Sequence, residues 1–297
     1  MSTNEDFAHT WMNVKTGELR HNVSRIISAE QDQSIHIYKQ RKEYFHNLNE
    51  NFGEFFFYKY DKLLQDIQYQ MATAFRFLYV CSKADRTHKV IAYDNYVATN
   101  PFDFTYIFNK PRTTSIDFYH DLANHELIYQ DTDGNYRVND NYFAKDFSND
   151  EFKRHSVRVF NIALQDLYNQ LTSSEHVFGG ELLKLVPYMN VHTNVLCHYI
   201  EEADINYMEP LTKEEIQTIL RDDSDYGRKL RLKMEKFMLR DEPVLGKFAA
   251  MGETHYIINP RLFYRGNNIN DLKATMQNFD ICKAQTKQRT MKRKEVN

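Results

Sequence analysis

Hydrophobic residues recur along this chain with two different periods, and the switches between them mark out its elements. Over Asp61–Ser82, the residues Leu63, Leu64, Ile67, Met71, Phe75 and Leu78 follow spacings of 1, 3, 4, 4 and 3, which predicts one amphipathic helix lying on a core. Upstream, Trp11–Arg20 (WMNVKTGELR) predicts a small hairpin around Lys15-Thr16-Gly17, and the polar, breaker-free run from Val23 to about Asn51 predicts one long exposed helix. Downstream the two periods alternate. Helical patterns over Phe102–Phe108 and Thr113–Leu127 give way to two short strands, Leu127–Gln130 and Tyr136–Asn139, about the turn Asp131–Asn135. Gly134 and Asn135 suit the positive φ of a tight hairpin.

This succession then recurs. Thr212–Leu220 and Ser224–Leu239 predict helices, and Val244–Phe248 and His255–Asn259 predict strands around Ala249–Glu253. The phrase GNYRVNDNYFAKD at Gly134–Asp146 is answered 120 residues later by ETHYIINPRLFYRG at Glu253–Gly266. Tyr136 meets Tyr256, Val138 meets Ile258, Asn139 meets Asn259, Phe143 meets Phe263 and Lys145 meets Arg265. The upstream end matches at 105 residues and lays Phe77–Ala92 on Leu182–Cys197, with Leu78 on Leu183, Val90 on Val195 and Ile91 on Leu196. A register that grows from 105 to 120 residues fits a duplicated domain with loops of different length.

Each copy therefore reads helix, short helix, longer helix, hairpin. Thr113 or Thr114 can cap the longer helix of the first copy, Thr212 with Glu215 forms a capping box, and Ser224 can cap the last helix. Three helices and a hairpin make the winged-helix arrangement, whose second helix of the pair lies in the DNA major groove while the hairpin touches the flanking backbone.

The ending Tyr256-x-Ile258-Asn259-Pro260-x-x-Phe263-x-Arg265-Gly266 resembles the wing strand and exit of winged-helix proteins of Gram-positive phages and plasmids, plasmid replication initiators among them. Leu182–Cys197 followed by Glu209–Leu220 is similar to the lead-in of such domains. The resemblance covers about residues 180–270 and is fainter over 75–147, where Asp140 replaces the Pro and Asp146 the Gly. By architecture it implies two tandem winged helices, as in one class of plasmid initiator, with the first mainly dimerising and the second mainly reading DNA.

Charge separates the copies independently. In Tyr226–Arg240, Leu230, Met234 and Phe237 form a core face at i, i+4 and i+7, and Lys229, Lys233, Lys236 and Arg240 form a basic stripe beside it. Arg228 and Arg231 add charge near the helix start and are the candidates for base edges, because a guanidinium pairs bidentately with guanine; the lysines suit phosphates. Ser224, Tyr226 and, at the wing exit, Arg265 complete the second-copy candidates. The first copy offers Arg112, Thr113, Ser115 and His120 outward, but Asp117 and Asp121 oppose them. The tail Lys283–Lys294 (KAQTKQRTMKRK) is an arm that either tracks phosphates or keeps the protein in solution.

Composition narrows the rest. Nine Gly and six Pro against 21 Phe and 20 Tyr in 297 residues fit a helix-rich fold with an aromatic core, and a net charge of −3 excludes a uniformly basic coat. Three dispersed cysteines fit a reducing compartment, and the absence of a long apolar run or a signal-like start points to a cytoplasmic protein. No phosphate-binding Gly-rich loop and no CxxC occurs, and His192 with Cys197-His198 lacks further ligands nearby. Asp131-x-Asp133-x-Asn135 starts like a calcium loop but carries Tyr136 where Gly is required.

The expectation is thus a mainly α chain with small β-hairpins (α+β). Residues 1–60 would hold the hairpin and long helix, 61–147 and 148–282 two winged-helix domains, and 283–297 a basic tail. Such a protein would be a double-stranded-DNA-binding homodimer without cofactor, metal or enzymatic activity, acting as a transcriptional regulator or replication initiator. The alternative is a winged-helix module that binds other proteins.

Overall fold

The computed structural model describes residues 10–12, 19–21, 33–36, 38–40, 42–43, 46, 54–145, 156–204, 207–221, 224–250, 252–266 and 271–281. The chain divides into two compact units, 1–47 and 48–297. In the first unit, β1 (Thr10–Met12) and β2 (Leu19–His21) form an antiparallel hairpin with Trp11 opposite Arg20. The described residues between 33 and 46 are helical. The remainder of the expected long helix lies outside the described residues, as does the basic tail.

The second unit mixes helices with small antiparallel sheets around one four-stranded sheet, in which Phe263–Tyr264, Ser156–Phe160, Phe55–Lys59 and Phe143–Ala144 lie side by side in that order. Its two central strands are β3 (Phe55–Lys59) and β9 (Ser156–Phe160), and all five β9 residues are buried. They run antiparallel with Phe55 opposite Phe160, Phe57 opposite Arg158 and Lys59 opposite Ser156. Each strand leads directly into a helix: α1 (Tyr60–Asp66) after β3, α5 (Asn161–Gln170) after β9. Phe57 and Arg158 therefore hold the same place, two residues before their strand ends, and they face each other. Antiparallel pairing centred on equivalent residues places a local two-fold axis between them.

Several elements outward from that axis occur in both halves. On half one, β8 (Phe143–Ala144) edges the sheet with Phe143 opposite Tyr58. On half two, β14 (Phe263–Tyr264) does so with Phe263 opposite Val159. The wing-like hairpins β6 (Ile128–Gln130)–β7 (Tyr136–Val138) and β12 (Leu245–Ala250)–β13 (Glu253–Ile258) share their register, Ile128 opposite Val138 and Leu245 opposite Ile258. Asn139 donates from its backbone to Leu127 and accepts at Oδ1 from the Asn141 amide at 2.9 Å; Asn259 makes the same bonds to Val244 and from Arg261 at 2.9 Å. Their amide groups close the base of each hairpin on the carbonyls of Glu126 and Pro243. The repeated Asn is thus a clasp that ends a strand.

Upstream the match slips by one. Val90 donates to Tyr136 and Leu196 donates to Tyr256, so Val90 corresponds to Leu196 rather than to Val195. In half one β4 (Ile91–Tyr93) pairs with β5 (Tyr96–Val97), where half two has the single bridge Met189–Leu196. Between these segments and the hairpins lies a helix pair in each half, α3 (Phe104–Phe108) with α4 (Arg112–Asn124), and α7 (Lys213–Leu220) with α8 (Ser224–Lys236). Both pairs open on a capping box, Asn100/Asp103 ahead of α3 and Thr212/Glu215 on α7. The fourth residue of each second helix is small and buried. Ser115 is buried in one case, and in the other a Cβ on Gly227 would lie 2.2 Å from the Gln217 carbonyl.

The halves meet where α2 (Met71–Ser82) packs against α6 (His176–Glu181), which continues as a 3-10 helix over Leu182–Tyr188. Phe75 and Gly180 are each the fifth residue of their helix. A Cβ on Gly180 would lie 1.9 Å from the Met71 carbonyl, and one on Gly179 would lie 2.7 Å from the Phe75 ring. Bulk on one side fits a hole on the other.

Three helical expectations change. Asp61–Ser82 is two helices rather than one, because Gln68 and Tyr69 adopt positive φ (50° and 58°) and turn the chain; the break lets Ile67 and Met71 both reach the core. The helix expected over Thr113–Leu127 starts at Arg112 with Pro111 at its N-cap and no side-chain cap, so neither Thr113 nor Thr114 serves as one. The last helix stops at Lys236, and Met238–Leu239 forms strand β10 with β11 (Glu242–Pro243).

Candidate nucleic-acid interface

Helix α8 is amphipathic because Gly227, Leu230, Arg231 and Met234 fall on one stripe, which packs on α7 and β12. The opposite side carries Asp225, Tyr226, Arg228, Lys229 and Lys236, all exposed. Arg228, Lys229 and Lys236 have no ion-pair partner among the described residues. Lys233 is half-exposed and reaches Glu175 at 2.7 Å. That contact holds the Glu175 carboxyl down at about 2, helped by the Thr172 amide and hydroxyl. Lys229, Leu232, Lys233, Lys236 and Phe237 line one shallow groove along the helix flank. Ser224 is the first residue of α8; its side chain lies outside what the structure describes.

Several expected contacts are internal instead. Arg231, proposed for base edges, is only 7% exposed and is tied to Glu235, with Gln217 and the Tyr256 hydroxyl within 3.5 Å. Because Glu235 also meets Lys247, this cluster ties the helix to the hairpin strand β12. Helical spacing places Arg231 next to Leu230, on the buried flank of the stripe, and that excludes it from any groove. Arg265 donates to the Pro187 and Met189 carbonyls at 2.8 and 3.0 Å and to the Tyr60 hydroxyl, so it joins half two to α1 and is not offered outward. Arg240 lies past the helix end at φ 49° and pairs with Asp166. Phe237 also lies past the helix and packs on Phe178 with 5.5 Å between ring centroids.

In half one, Arg112 and Thr113 are exposed at the start of α4, with the Arg112 guanidinium 4.1 Å from the Phe102 ring centre. Ser115 is fully buried and its hydroxyl donates to Lys110, which removes it as an outward contact. His120 and Asp117 are exposed, and Asp121 is held by Arg76 at 2.8 Å. Position by position the two helices differ in sign: Asp117 stands where α8 has Lys229, Asp121 where it has Lys233, and Asn124 where it has Lys236.

Other features carry no sequence signature. Arg221, between α7 and α8, pairs at 2.9 Å with the fully buried Glu181 and lies over the Tyr226 ring. Half one mirrors this with the charges exchanged, since Arg76 and Glu181 are each the sixth residue of their helix. Beside the β12–β13 hairpin, Glu209, Glu214, Glu215 and Glu253 line a cleft with His198, so acid flanks the basic helix on that side. Tyr93, Tyr96 and Tyr106 form an exposed stack in half one, with ring centroids 5.0 and 4.9 Å apart. None of these could be found from periodicity, because each depends on residues distant in the chain.

Burial pushes the Cys197 thiol up to about 11 and Cys81 well above the usual thiol range, which keeps both protonated. Among the described residues, no group of His, Cys, Asp and Glu has the arrangement to hold a metal, and no helix is long and apolar enough to cross a membrane. No protein-family model matches the chain, and no curated protein and no solved structure matches it.

Proposed function

We propose that the protein binds double-stranded DNA sequence-specifically through two tandem winged-helix units, as a regulator of transcription or an initiator of replication of phage or plasmid type. The observation that carries this reading is the outer face of α8. It is the second helix of a helix pair, a hairpin follows it, and it presents Arg228, Lys229 and Lys236 to solvent with no internal ion partner among the described residues. Helices in that position enter the major groove, where phosphate contacts fix register and base edges select sequence. Arg228 is the base-edge candidate that remains. Lys229 and Lys236 suit phosphates, and Lys233 joins them on releasing Glu175.

Fluorescence anisotropy on duplexes at several salt concentrations tests this. Arg228→Ala relaxes sequence preference by about 1–3 kcal/mol, whereas Lys229→Ala and Lys236→Ala weaken all sequences alike and each lower the salt slope by about 1. Absence of binding to any duplex at low salt refutes the reading. A second reading, a protein-binding module, is favoured by one observation, the exposed Tyr93–Tyr96–Tyr106 stack, since clustered tyrosines are common anchors of protein interfaces.

A further inference from the structure

Where α1 meets the 3-10 helix after α6 and the end of α7, the large unit holds a cleft of about 450 Å³. Small-molecule sites occupy about 300–1,000 Å³ and combine an apolar, aromatic lining with a few placed polar groups. The cleft is lined by Tyr60, Leu64 and Tyr69, from α1 and the turn after it, by Lys184 and Tyr188 of the 3-10 helix, and by Ile219 of α7. No lining residue carries a carboxylate.

The equivalent place across the internal axis, where α5 meets α2 and α3, is closed. Tyr79 and Tyr168, which correspond to Lys184 and Ile67, stack with ring centroids 3.6 Å apart. Gln165, which corresponds to Leu64, accepts from the Lys83 ammonium at 3.2 Å and donates to the Ser82 hydroxyl at 3.1 Å, fastening α5 to the end of α2. The α1 side has neither the ring stack nor the fastening amide, and its space stays open.

Charge selects what could enter. The fully buried Glu181 is shared between Lys184 at 2.7 Å and Arg221 at 2.9 Å. An ammonium has three N–H groups. Glu181 and the Leu220 carbonyl engage two of those on Lys184, which leaves one for the cleft. Arg265 bonds to neutral acceptors, the Pro187 and Met189 carbonyls and the Tyr60 hydroxyl, and has no carboxylate partner among the described residues. Pro187 and Tyr60 are themselves cleft residues. Three cations therefore stand about the cleft against the one carboxylate of Glu181, and in a place partly shielded from water that excess attracts an anion.

We propose that this cleft binds a small planar aromatic molecule bearing one negative charge, a fused-ring carboxylate being the simplest case. The tyrosine rings and aliphatic side chains take its faces, and Lys184 takes its carboxylate. The site goes beyond the DNA-binding reading and does not depend on it. Ile219 and Leu220 end α7 ahead of α8, so an occupant lies beside the turn between the two helices.

Calorimetric titration of the full-length chain with naphthoate tests this, beside the neutral naphthylmethanol and the cationic naphthylmethylamine. The expected result is one naphthoate per chain with a Kd below about 1 mM, and binding weaker by about tenfold or more for the alcohol and the amine. Ile219 is half-buried, so Ile219→Trp fills the cleft from its rim and should weaken naphthoate by about tenfold or more while the thermal midpoint stays unchanged. Tyr69→Asn removes an exposed ring at a φ of 58°, which asparagine tolerates, and should weaken naphthoate by about threefold or more. No binding of naphthoate at about 1 mM, equal affinity for the acid and the alcohol, or undiminished binding by Ile219→Trp would each overturn the proposal. Should the tryptophan variant fail to fold, Tyr69→Asn decides in its place, and undiminished binding by it overturns the site.

Discussion

Half one and half two of the large unit share a backbone plan and differ in what they put on it. Where hydrogen bonds set the register, the halves agree closely: Tyr136 with Tyr256, Asn139 with Asn259, Phe143 with Phe263. Where side chains face solvent, they diverge in sign, with Asp117 against Lys229 and Asp121 against Lys233. At their mutual contact they diverge in size, Phe75 against Gly180. The halves thus agree where the backbone needs them to and differ where they face outward or face each other.

The size difference gives the largest effect. Gly180→Ala forces a Cβ into the Met71 carbonyl and should cost about 3 kcal/mol, read from the urea midpoint; at the equivalent fourth positions, Gly179→Ala meets the Phe75 ring and should cost about 2 kcal/mol, while Ala74→Gly costs no more than about 1 kcal/mol. Equal effects at the fourth positions would mean that the crossing is symmetric after all.

His176 sharpens the comparison next, since half one has Met71 in its place. The imidazole is fully buried beside Tyr168 and Phe75, and burial, with Arg76 and Lys110 nearby, pushes its pKa down to about 3. The folded state thus refuses a proton that the unfolded chain accepts near 6.5, so stability falls as pH drops below 6.5 and continues to fall toward 3. Between pH 6 and 4 the loss should be about 2 kcal/mol by denaturant titration. His176→Met should flatten that slope; an unchanged slope would place its origin elsewhere.

The clasps should differ by burial. Asn259 is 1% exposed and Asn139 is partly open, so Asn259→Ala should cost about 2 kcal/mol and Asn139→Ala about 1 kcal/mol in thermal unfolding. A reversed order would show that the first hairpin is the more constrained.

The smallest effect belongs to the Lys233–Glu175 contact, which half one lacks. With Glu175 held near 2 against an ordinary 4.5, its contribution is present above 4.5 and lost as pH falls from there toward 2. Both side chains are more than a third exposed, which limits the contribution to a few tenths of a kcal/mol. Glu175→Gln should leave stability near pH 7 almost unchanged and tighten DNA binding slightly by freeing Lys233. Weaker binding would mean that Glu175 positions the lysine.

The hairpins and helix pairs were legible in the sequence because turn residues, caps and the 3.6-residue period act locally; Thr212 and Glu215 form the box their spacing predicts. The central strands were not. FFFYK and SVRVF are identical at no aligned position, and a short buried strand gives no alternation to distinguish it from a helix segment. The repeated unit therefore starts at Phe55, upstream of any similarity that could be aligned. The basic stripe was legible only as a stripe. Its period cannot say which flank is buried, so Arg231 and Ser115 counted as outward until neighbouring elements covered them. Arg265 was lost to the same cause, with acceptors that lie 76 and 78 residues away in the chain.

The order of synthesis adds a last consequence of the β3–β9 pairing. Half one leaves the ribosome first, with one edge of β3 complete against β8 and the other still waiting for a strand made later. Until Ser156–Phe160 emerges, Phe55–Lys59 presents an open row of backbone donors and acceptors, and such an edge captures whatever strand arrives. Nascent chains on neighbouring ribosomes carry the same edge. Ser156 follows Ala144 by twelve residues in the chain, so the matching strand is made soon after that edge forms.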